Sequence, residues 1–278
     1  MLSTKMTAFD YLVSNMGAAS ASAPGTSVVP GASNAEGSWT QVLSALTYDI
    51  YWIELLVCGG ATASTNKAHF LDVGPDPAGG TSYIQRIGNI VCGGSPVWTQ
   101  GAVSKNFPLY IKAGSTVAVR IQGVAGTAGT VRVVINARGL PQNPELFRSG
   151  GYSETIGSVT NTQGNSITPG TSGEGSWTSF GTTTRNLFWW QMGFHITSTT
   201  LSQLMYYFDL AHGDANNKEI IFQDVPLFIP VASPADQMAL APMPWGYHEV
   251  KGGDTIYVRA ACSGTPLTTV HGLVNAIG

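Results

Sequence analysis

The chain has 278 residues, of which 43% are apolar and only 10% are charged, and its formal net charge is −3. This apolar content excludes a disordered chain, and the charge excludes a surface built to attract nucleic acid. From this charge we expect no nucleic-acid partner. Since no stretch is apolar enough for a membrane helix, we also expect no membrane partner. The scarcity of charge favours a surface that forms close, permanent contacts with other subunits.

The amino-terminal segment carries apolar residues at helical spacing. Met6, Phe9, Leu12 and Val13 would share one face of a helix, which predicts a short amphipathic helix or an arm that docks on a neighbouring molecule. A disordered terminus is the alternative.

The rest of the first half reads as strands and glycine-rich turns. Tyr51–Val57 is a run of β-forming residues, and Thr116–Ile121 alternates branched residues with small or polar ones. Val131–Ile135 follows a turn and is expected to pair with the strand before it. Lys112-Ala-Gly-Ser and Lys251-Gly-Gly-Asp precede strands, which predicts tight turns with glycine at positive φ.

Five segments of the first half recur in the same order in the second half, at spacings of 137 to 139 residues. The matched pairs are Glu36–Thr40 with Glu174–Thr178, Gly25–Pro30 with Gly164–Pro169, Phe70–Val73 with Tyr207–Leu210, Lys112–Arg120 with Lys251–Arg259, and Val134–Ala137 with Leu273–Ala276. The period is the size of a whole domain. We therefore predict an all-β chain of two tandem, mutually similar β-sandwich domains, jelly-roll-like in topology, at residues 1–139 and 140–278, with a short N-terminal arm.

One acidic and one basic residue recur although charge is rare in this chain. Asp72 and Arg120 of the first half correspond to Asp209 and Arg259 of the second. We predict a structural Asp–Arg ion pair inside each sandwich, which joins a middle strand to a late strand.

Catalytic and cofactor motifs are not found in the sequence. There is no GxSxG, HExxH or P-loop, and the five histidines neither share a ligand spacing nor recur between the halves. The loop Asp214–Glu219 lacks the glycine and the terminal glutamate of an EF-hand. The three cysteines include no CxxC and are expected to be buried free thiols. We therefore expect no catalytic residue, no metal and no cofactor, and hence not an enzyme.

A second class of function depends on aromatic residues. Trp98, Trp245 and Tyr247 lie in irregular stretches rich in proline and glycine, where their rings could stack on a sugar. They are the candidate glycan-contact residues, and a receptor- or glycan-binding adhesin is the alternative function.

The stretch Phe107–Arg120 resembles a recurring segment of bacteriophage structural proteins, in which Pro-x-x-Ile-x-Ala-Gly-Thr-x-Ile-x-x-Arg precedes the last strands of a β-sandwich. Phe70–Gly74 and Asp209–Asp214 resemble the companion part of that pattern. The resemblance implies a non-enzymatic virion component of the tail, collar, baseplate or capsid-decoration type. Its expected partners are other virion proteins and copies of itself, and its expected location is the virion, assembled in the host cytoplasm.

Overall fold

The computed structural model consists of β-strands and their connections. Within the part of the chain that it describes, no helix is long and apolar enough to cross a membrane. The prediction of an all-β chain is therefore confirmed. The described residues are 12–16, 25–32, 34–59, 68–93, 103–123, 131–139, 151–159, 164–171, 173–196, 204–229, 246–264 and 270–278.

The first half forms two antiparallel sheets. Its strands are β1 (Leu12–Met16), β2 (Thr26–Val28), β3 (Thr40–Leu43), β4 (Trp52–Gly59), β5 (Ala68–Asp76), β6 (Ile87–Gly93), β7 (Val103–Phe107), β8 (Thr116–Gly123) and β9 (Val131–Gly139). Sheet 1 has the order β1-β9-β4-β7, with β2 also paired to β9, and sheet 2 has the order β3-β8-β5-β6. The expected pairing of Val131–Ile135 with the strand before it is therefore wrong, because β9 pairs with strands of sheet 1 whereas β8 lies in sheet 2.

The second half forms two further antiparallel sheets. Its strands are β10 (Ser153–Ile156), β11 (Asn165–Ile167), β12 (Thr178–Thr182), β13 (Leu187–Ile196), β14 (Leu204–Gly213), β15 (Lys218–Ile229), β16 (Gly246–Val250), β17 (Thr255–Cys262) and β18 (Val270–Ile277). Sheet 3 has the order β10-β18-β13-β16, with β11 also on β18, and sheet 4 has the order β12-β17-β14-β15. Each strand of the first half thus has a counterpart in the same place in the second half.

Burial along the strands shows how the sheets are layered. Every second residue of β9 is buried, which is the pattern of a strand with one face on a core. In contrast, β8 is buried along nearly its whole length, which is typical of a strand covered on both faces. Sheet 2 is therefore an inner layer, and sheet 1 is an outer one.

Two large cores and one small cluster fill the spaces between the layers. The first core lies mainly between sheets 1 and 2 and includes Ile53 and Leu71, but Ile277 of sheet 3 also belongs to it. The second core lies between sheets 3 and 4 and includes Trp190 and Phe208. A smaller cluster of Phe70 and Val91 from sheet 2 and Leu273 from sheet 3 joins the backs of these two sheets. The layers therefore follow one another in the order sheet 1, sheet 2, sheet 3, sheet 4.

Hydrogen bonds across the two middle layers converge on one segment of the first half. The Asn275 side-chain amide donates to the Gly88 carbonyl oxygen at 2.9 Å, and the Thr155 hydroxyl donates to the same oxygen at 2.5 Å. The Ser153 hydroxyl donates to the Arg86 carbonyl oxygen at 2.5 Å. The contact between the halves is therefore both apolar and hydrogen-bonded.

The amino-terminal prediction requires correction. Leu12 and Val13 lie in β1, which pairs with β9 over five residues, so the expected helix is wrong at these positions. The pairing satisfies the backbone groups of β1 between two chain segments far apart in sequence, a tertiary contribution that local apolar spacing does not contain. Met6 and Phe9, with the rest of the expected arm, lie outside the described residues.

Candidate functional site

The repeated Asp–Arg pair is present in both halves. Asp72 Oδ2 lies 2.8 Å from Arg120 Nε, and Asp209 Oδ2 lies 2.7 Å from Arg259 Nε. The two residues of each pair stand directly opposite each other on neighbouring strands, β5 with β8 and β14 with β17. Each aspartate is nearly fully buried, so the guanidinium provides the opposite charge that such a carboxylate requires.

The same arginines stack on tryptophan rings. The guanidinium carbon of Arg120 lies 4.5 Å from the centre of the Trp39 ring, and that of Arg259 lies 4.5 Å from the centre of the Trp177 ring. Such cation–π contacts hold the guanidinium plane in place. Trp39 and Trp177, which belong to the repeated Glu-Gly-Ser-Trp-Thr segment, are thereby accounted for by packing.

A glutamate completes each network. Glu36 forms an ion pair with Arg120, and Glu174 Oε2 lies 3.6 Å from Arg259 Nε. Burial raises the pKa of both glutamates, and the neighbouring Asp72 or Asp209 carboxylate raises it further. Each arginine thus faces two carboxylates and a ring, which accounts for the recurrence of all four residue types in both halves.

The candidate glycan-contact residues are only partly covered by the structure. Trp98 and Trp245 lie outside the described residues. Tyr247 is described and is 53% exposed, with its ring centre 5.6 Å from that of Trp189 and 6.2 Å from that of Phe188. Tyr247 lies on β16, next to His248, which belongs to a cluster of two histidines and a glutamate.

Two histidines and a glutamate of the second half converge at one end of sheets 3 and 4. His212, near the end of β14, stands opposite Glu219 at the start of β15 in sheet 4. His248 approaches from β16, the edge strand of sheet 3, and shares its face with the fully buried Val250 two residues later. The Trp190 indole donates to the His248 carbonyl oxygen at 2.7 Å and anchors that strand.

The three side chains place nitrogen and oxygen atoms at the corners of a small triangle. The Nε2 atoms of His212 and His248 are 3.0 Å apart. Glu219 has one carboxylate oxygen 3.3 Å from His248 Nε2 and the other 3.7 Å from His212 Nε2. A tetrahedral Zn²⁺ with bonds of about 2.0 to 2.1 Å separates its ligand atoms by about 3.3 Å. The triangle therefore has the size of one face of such a coordination sphere.

A fourth residue determines which nitrogen of His212 can act as a ligand. Asp254 Oδ2 lies 2.9 Å from His212 Nδ1 and accepts a hydrogen bond from it. With its proton on Nδ1, the neutral imidazole presents a lone pair at Nε2, towards His248 and Glu219. A carboxylate behind a ligating histidine is the usual outer-shell arrangement of metal sites.

The cluster borders solvent on one side. The His212 side chain is only 10% exposed, whereas that of Glu219 is 68% exposed. A cavity of about 450 Å³ adjoins them and is also lined by Asn216, Asn217 and Lys218. An ion held by the three ligands would therefore keep a coordination position open to water or to another small ligand.

The first half builds the same strands without this cluster. Pro75 follows Asp72 by three residues in β5, as His212 follows Asp209 in β14. By the repeat spacing of 139 residues, Leu109 and Ser115 correspond to His248 and Asp254. The first half thus forms the same strands with Pro75, Leu109 and Ser115 in these places, none of which is a metal ligand, so the cluster of the second half is not a requirement of the fold.

The sequence alone does not group these histidines with Glu219, because the three residues come from three strands in two sheets. No short-range spacing connects 212, 219 and 248. The signal was present in the comparison of the halves, where polar residues replace Pro75 and Leu109. This difference between the halves identifies a cluster only when the sheet order is known, because the sheet order brings the end of β14 to the edge strand β16.

No protein-family model and no curated protein matches this chain. Among similar solved structures, one of PNGF-II has a TM-score of 0.41 and 8% identity over 96% of this chain and 65% of that chain. A peptide-N(4)-(N-acetyl-β-D-glucosaminyl) asparagine amidase has a TM-score of 0.39 and 11% identity over 96% of each chain. PNGase F, a glycosylasparaginase from Flavobacterium meningosepticum, has a TM-score of 0.38 with the same identity and coverage.

These matches contradict two predictions made from the sequence. Two of these similar structures are those of an amidase and a glycosylasparaginase, so the predictions of a non-enzymatic chain and of a structural role in a phage virion are corrected and not carried further. Low sequence identity and TM-scores below 0.5 also mean that the likeness assigns no activity to this chain.

Proposed function

We propose that this chain is a metal-binding protein and that its second half holds one divalent transition-metal ion, Zn²⁺ by donor chemistry, between His212, His248 and Glu219. Two imidazoles and one carboxylate suit Zn²⁺ better than Ca²⁺ or Mg²⁺, which prefer oxygen ligands throughout. The observation that carries the proposal is the convergence of the two Nε2 atoms and the Glu219 carboxylate, with Asp254 behind His212.

The proposed ion would work through its open position. Three protein ligands with an exchangeable fourth is the arrangement of zinc sites that activate water or polarise a bound oxygen atom. Glu219 and the cavity beside it leave room for such a ligand. The function that this geometry supports best is therefore reversible binding of a small oxygen ligand, water included, at a Lewis-acidic ion.

The finer architecture that we propose is two tandem β-sandwich domains of jelly-roll type, residues 1–139 and 140–278, derived from one duplicated unit. The matching strand orders of sheets 1 and 3 and of sheets 2 and 4 support it, as do the two separate large cores. In this arrangement one copy keeps apolar packing at the end of the sandwich, and the other has acquired the metal ligands there.

The test is a calorimetric titration of the full chain with Zn²⁺ at neutral pH. We expect one ion per chain, and loss of binding in His212→Ala and in His248→Ala. Asp254→Asn should weaken binding by about 10- to 100-fold, because it removes the outer carboxylate without removing a ligand. Binding should also weaken in acid, since protons compete for the imidazoles.

Glu219→Gln and Glu249→Gln form a matched pair of variants for this test. Both residues are exposed carboxylates on the same end of the molecule, but only Glu219 faces the histidines. We expect weaker Zn²⁺ binding in Glu219→Gln and unchanged binding in Glu249→Gln, with both variants folded by circular dichroism. Equal affinity in the two variants, or no Zn²⁺ binding by the unaltered chain, would overturn the proposal.

A further inference from the structure

A second cavity lies at the junction between the two halves, away from the histidine cluster. Its volume is about 300 Å³. The first half contributes Gln85 and Arg86, which precede β6, and the second half contributes Tyr152 and Glu154 from the region of β10 and Arg185 from the turn before β13. A ligand in this cavity would contact both halves at once.

The two arginines of this cavity differ from the arginines of the Asp–Arg networks. Arg86 Nη1 donates to the Gly151 carbonyl oxygen at 2.8 Å, and the Arg185 guanidinium lies 4.8 Å from the centre of the Tyr152 ring. Within the described part of the chain, neither arginine forms an ion pair with a carboxylate. Two guanidinium groups therefore line one cavity without a counter-charge of their own.

The carboxylate of the cavity is engaged elsewhere. Glu154 accepts a hydrogen bond from the Thr184 backbone N–H at 3.0 Å and another from the Thr184 hydroxyl. These two bonds direct its oxygens towards the turn that carries Arg185. The cavity thus keeps a net positive charge from its two arginines and one glutamate.

Gln85 of the first half also lines the cavity and presents hydrogen-bond donors to it. The Gln85 carbonyl oxygen Oε1 accepts a hydrogen bond from Arg120 Nη2 at 2.9 Å, so it is already used. The Gln85 amide N–H groups and the free N–H groups of Arg86 and Arg185 remain as donors. Such a set of donors matches a ligand that is an acceptor and carries negative charge.

We propose that this cavity binds a small oxyanion, a carboxylate or phosphate group, that bridges Arg86 of the first half and Arg185 of the second. The volume is at the lower end of the range for ligand pockets, which suits one acidic sugar or one phosphate-bearing group. Because the ligand contacts both halves in the folded state only, its binding stabilises their junction. This site is independent of the proposed metal site.

The experiment measures the thermal unfolding midpoint of the full chain against increasing inorganic phosphate, glucuronate, glucose and sodium chloride, with a chelator present to remove metal ions. We expect the midpoint to rise with phosphate or glucuronate beyond the effect of sodium chloride at equal ionic strength, and not with glucose. Phosphate alone would identify a phosphate-type ligand, and glucuronate alone a carboxylate-type ligand.

Arg86→Gln and Arg185→Gln remove one guanidinium each, and Lys112→Gln removes one exposed positive charge that does not line the cavity. We expect about a tenfold or larger loss of anion affinity in each arginine variant and no loss in Lys112→Gln. The proposal fails if the anions act no more strongly than sodium chloride, or if all three variants respond like the unaltered chain. Either outcome would leave the Zn²⁺ result untouched.

Discussion

Lys105 is a charged side chain in the interior of the first half. It lies on β7 opposite Leu55 and is only 2% exposed. Burial lowers the pKa of its ammonium group to about 8, and the nearby Cys92 thiol opposes this shift slightly. The unfolded chain, in which the group has its ordinary pKa of 10.5, therefore binds a proton more tightly than the folded protein does.

The sign of this difference gives a prediction for stability. Below about pH 8 the buried ammonium destabilises the fold fully, and the contribution of Lys105 to the free energy of unfolding rises as the pH increases from about 8 to 10.5. Lys105→Met should raise the free energy of unfolding at pH 7 by up to about 3 kcal/mol, because it removes the buried charge and keeps an apolar chain of similar length. Urea denaturation at about pH 7 and pH 10 measures both effects.

The advantage of Lys105→Met should shrink towards about pH 10, where the native lysine is neutral in the fold. Lys112→Met is the control, because Lys112 is exposed and its removal should leave the pH dependence unchanged. A gain that is the same at both pH values would show that packing, and not the buried charge, is responsible.

At the scale of single residues, the repeat between the halves predicted side-chain contacts, whereas the spacing of residues within one half did not. The Asp72–Arg120 and Asp209–Arg259 pairs could be predicted because an acidic and a basic residue both recur, at spacings of 137 and 139 residues, in a chain with few charges. The cluster of His212, Glu219 and His248 could not, because it occurs once and its members meet only through the order of strands in two sheets.

At the scale of elements, two glycines have different reasons to lack a side chain. Gly253 requires a positive φ in a turn, and Gly164 also lies against the backbone of β18. Gly253 lies in the predicted tight turn before β17 with φ at +100°, as Gly114 does in the first half at +85°, so the predicted positive φ is confirmed. Gly164, just before β11, has φ at +125°, and a Cβ atom there would lie 2.3 Å from the Gly272 carbonyl oxygen. At Gly253 no atom lies within 4 Å of such a Cβ.

Alanine at these two positions separates backbone strain from steric overlap. Gly253→Ala should lower the free energy of unfolding by about 1 kcal/mol, the ordinary cost of a positive φ for a residue with a side chain. Gly164→Ala should cost at least about 2 kcal/mol more, because the added methyl group meets the backbone of β18, which must move. Denaturant titrations of both variants would contradict this reasoning if the two losses were equal.

Strand existence could be read from the sequence more easily than strand partnership. Tyr51–Val57 and Thr116–Ile121 fall within or beside β4 and β8, because runs of β-forming residues carry their own local signal. The amino-terminal spacing predicts a helix, which is wrong at Leu12 and Val13, because β1 is defined by its pairing with β9, about 120 residues later in the chain. The back-to-back contact of sheets 2 and 3 had no signal in either half alone.

At the scale of the whole molecule, that contact makes the two halves unequal. Phe70 lies two residues before Asp72 in β5, on the back of sheet 2, and is 1% exposed against Val91 and Leu273. Tyr207 has the same place before Asp209 in β14, but the back of sheet 4 is an outer surface and Tyr207 is 37% exposed. One repeated position is therefore an interface residue in the first half and a surface residue in the second.

Truncating these two aromatic residues measures the energy of the junction. Phe70→Ala should lower the free energy of unfolding by about 3 to 5 kcal/mol, because it empties the apolar cluster between the halves. It should also split thermal unfolding into two calorimetric transitions, since each half keeps its own large core. Tyr207→Ala should cost less than about 1 kcal/mol and keep the transition shape of the unaltered chain, because the surface around Tyr207 stays solvated. Similar losses in the two variants would mean that Phe70 contributes no more than a solvated surface residue and that sheets 2 and 3 do not stabilise each other.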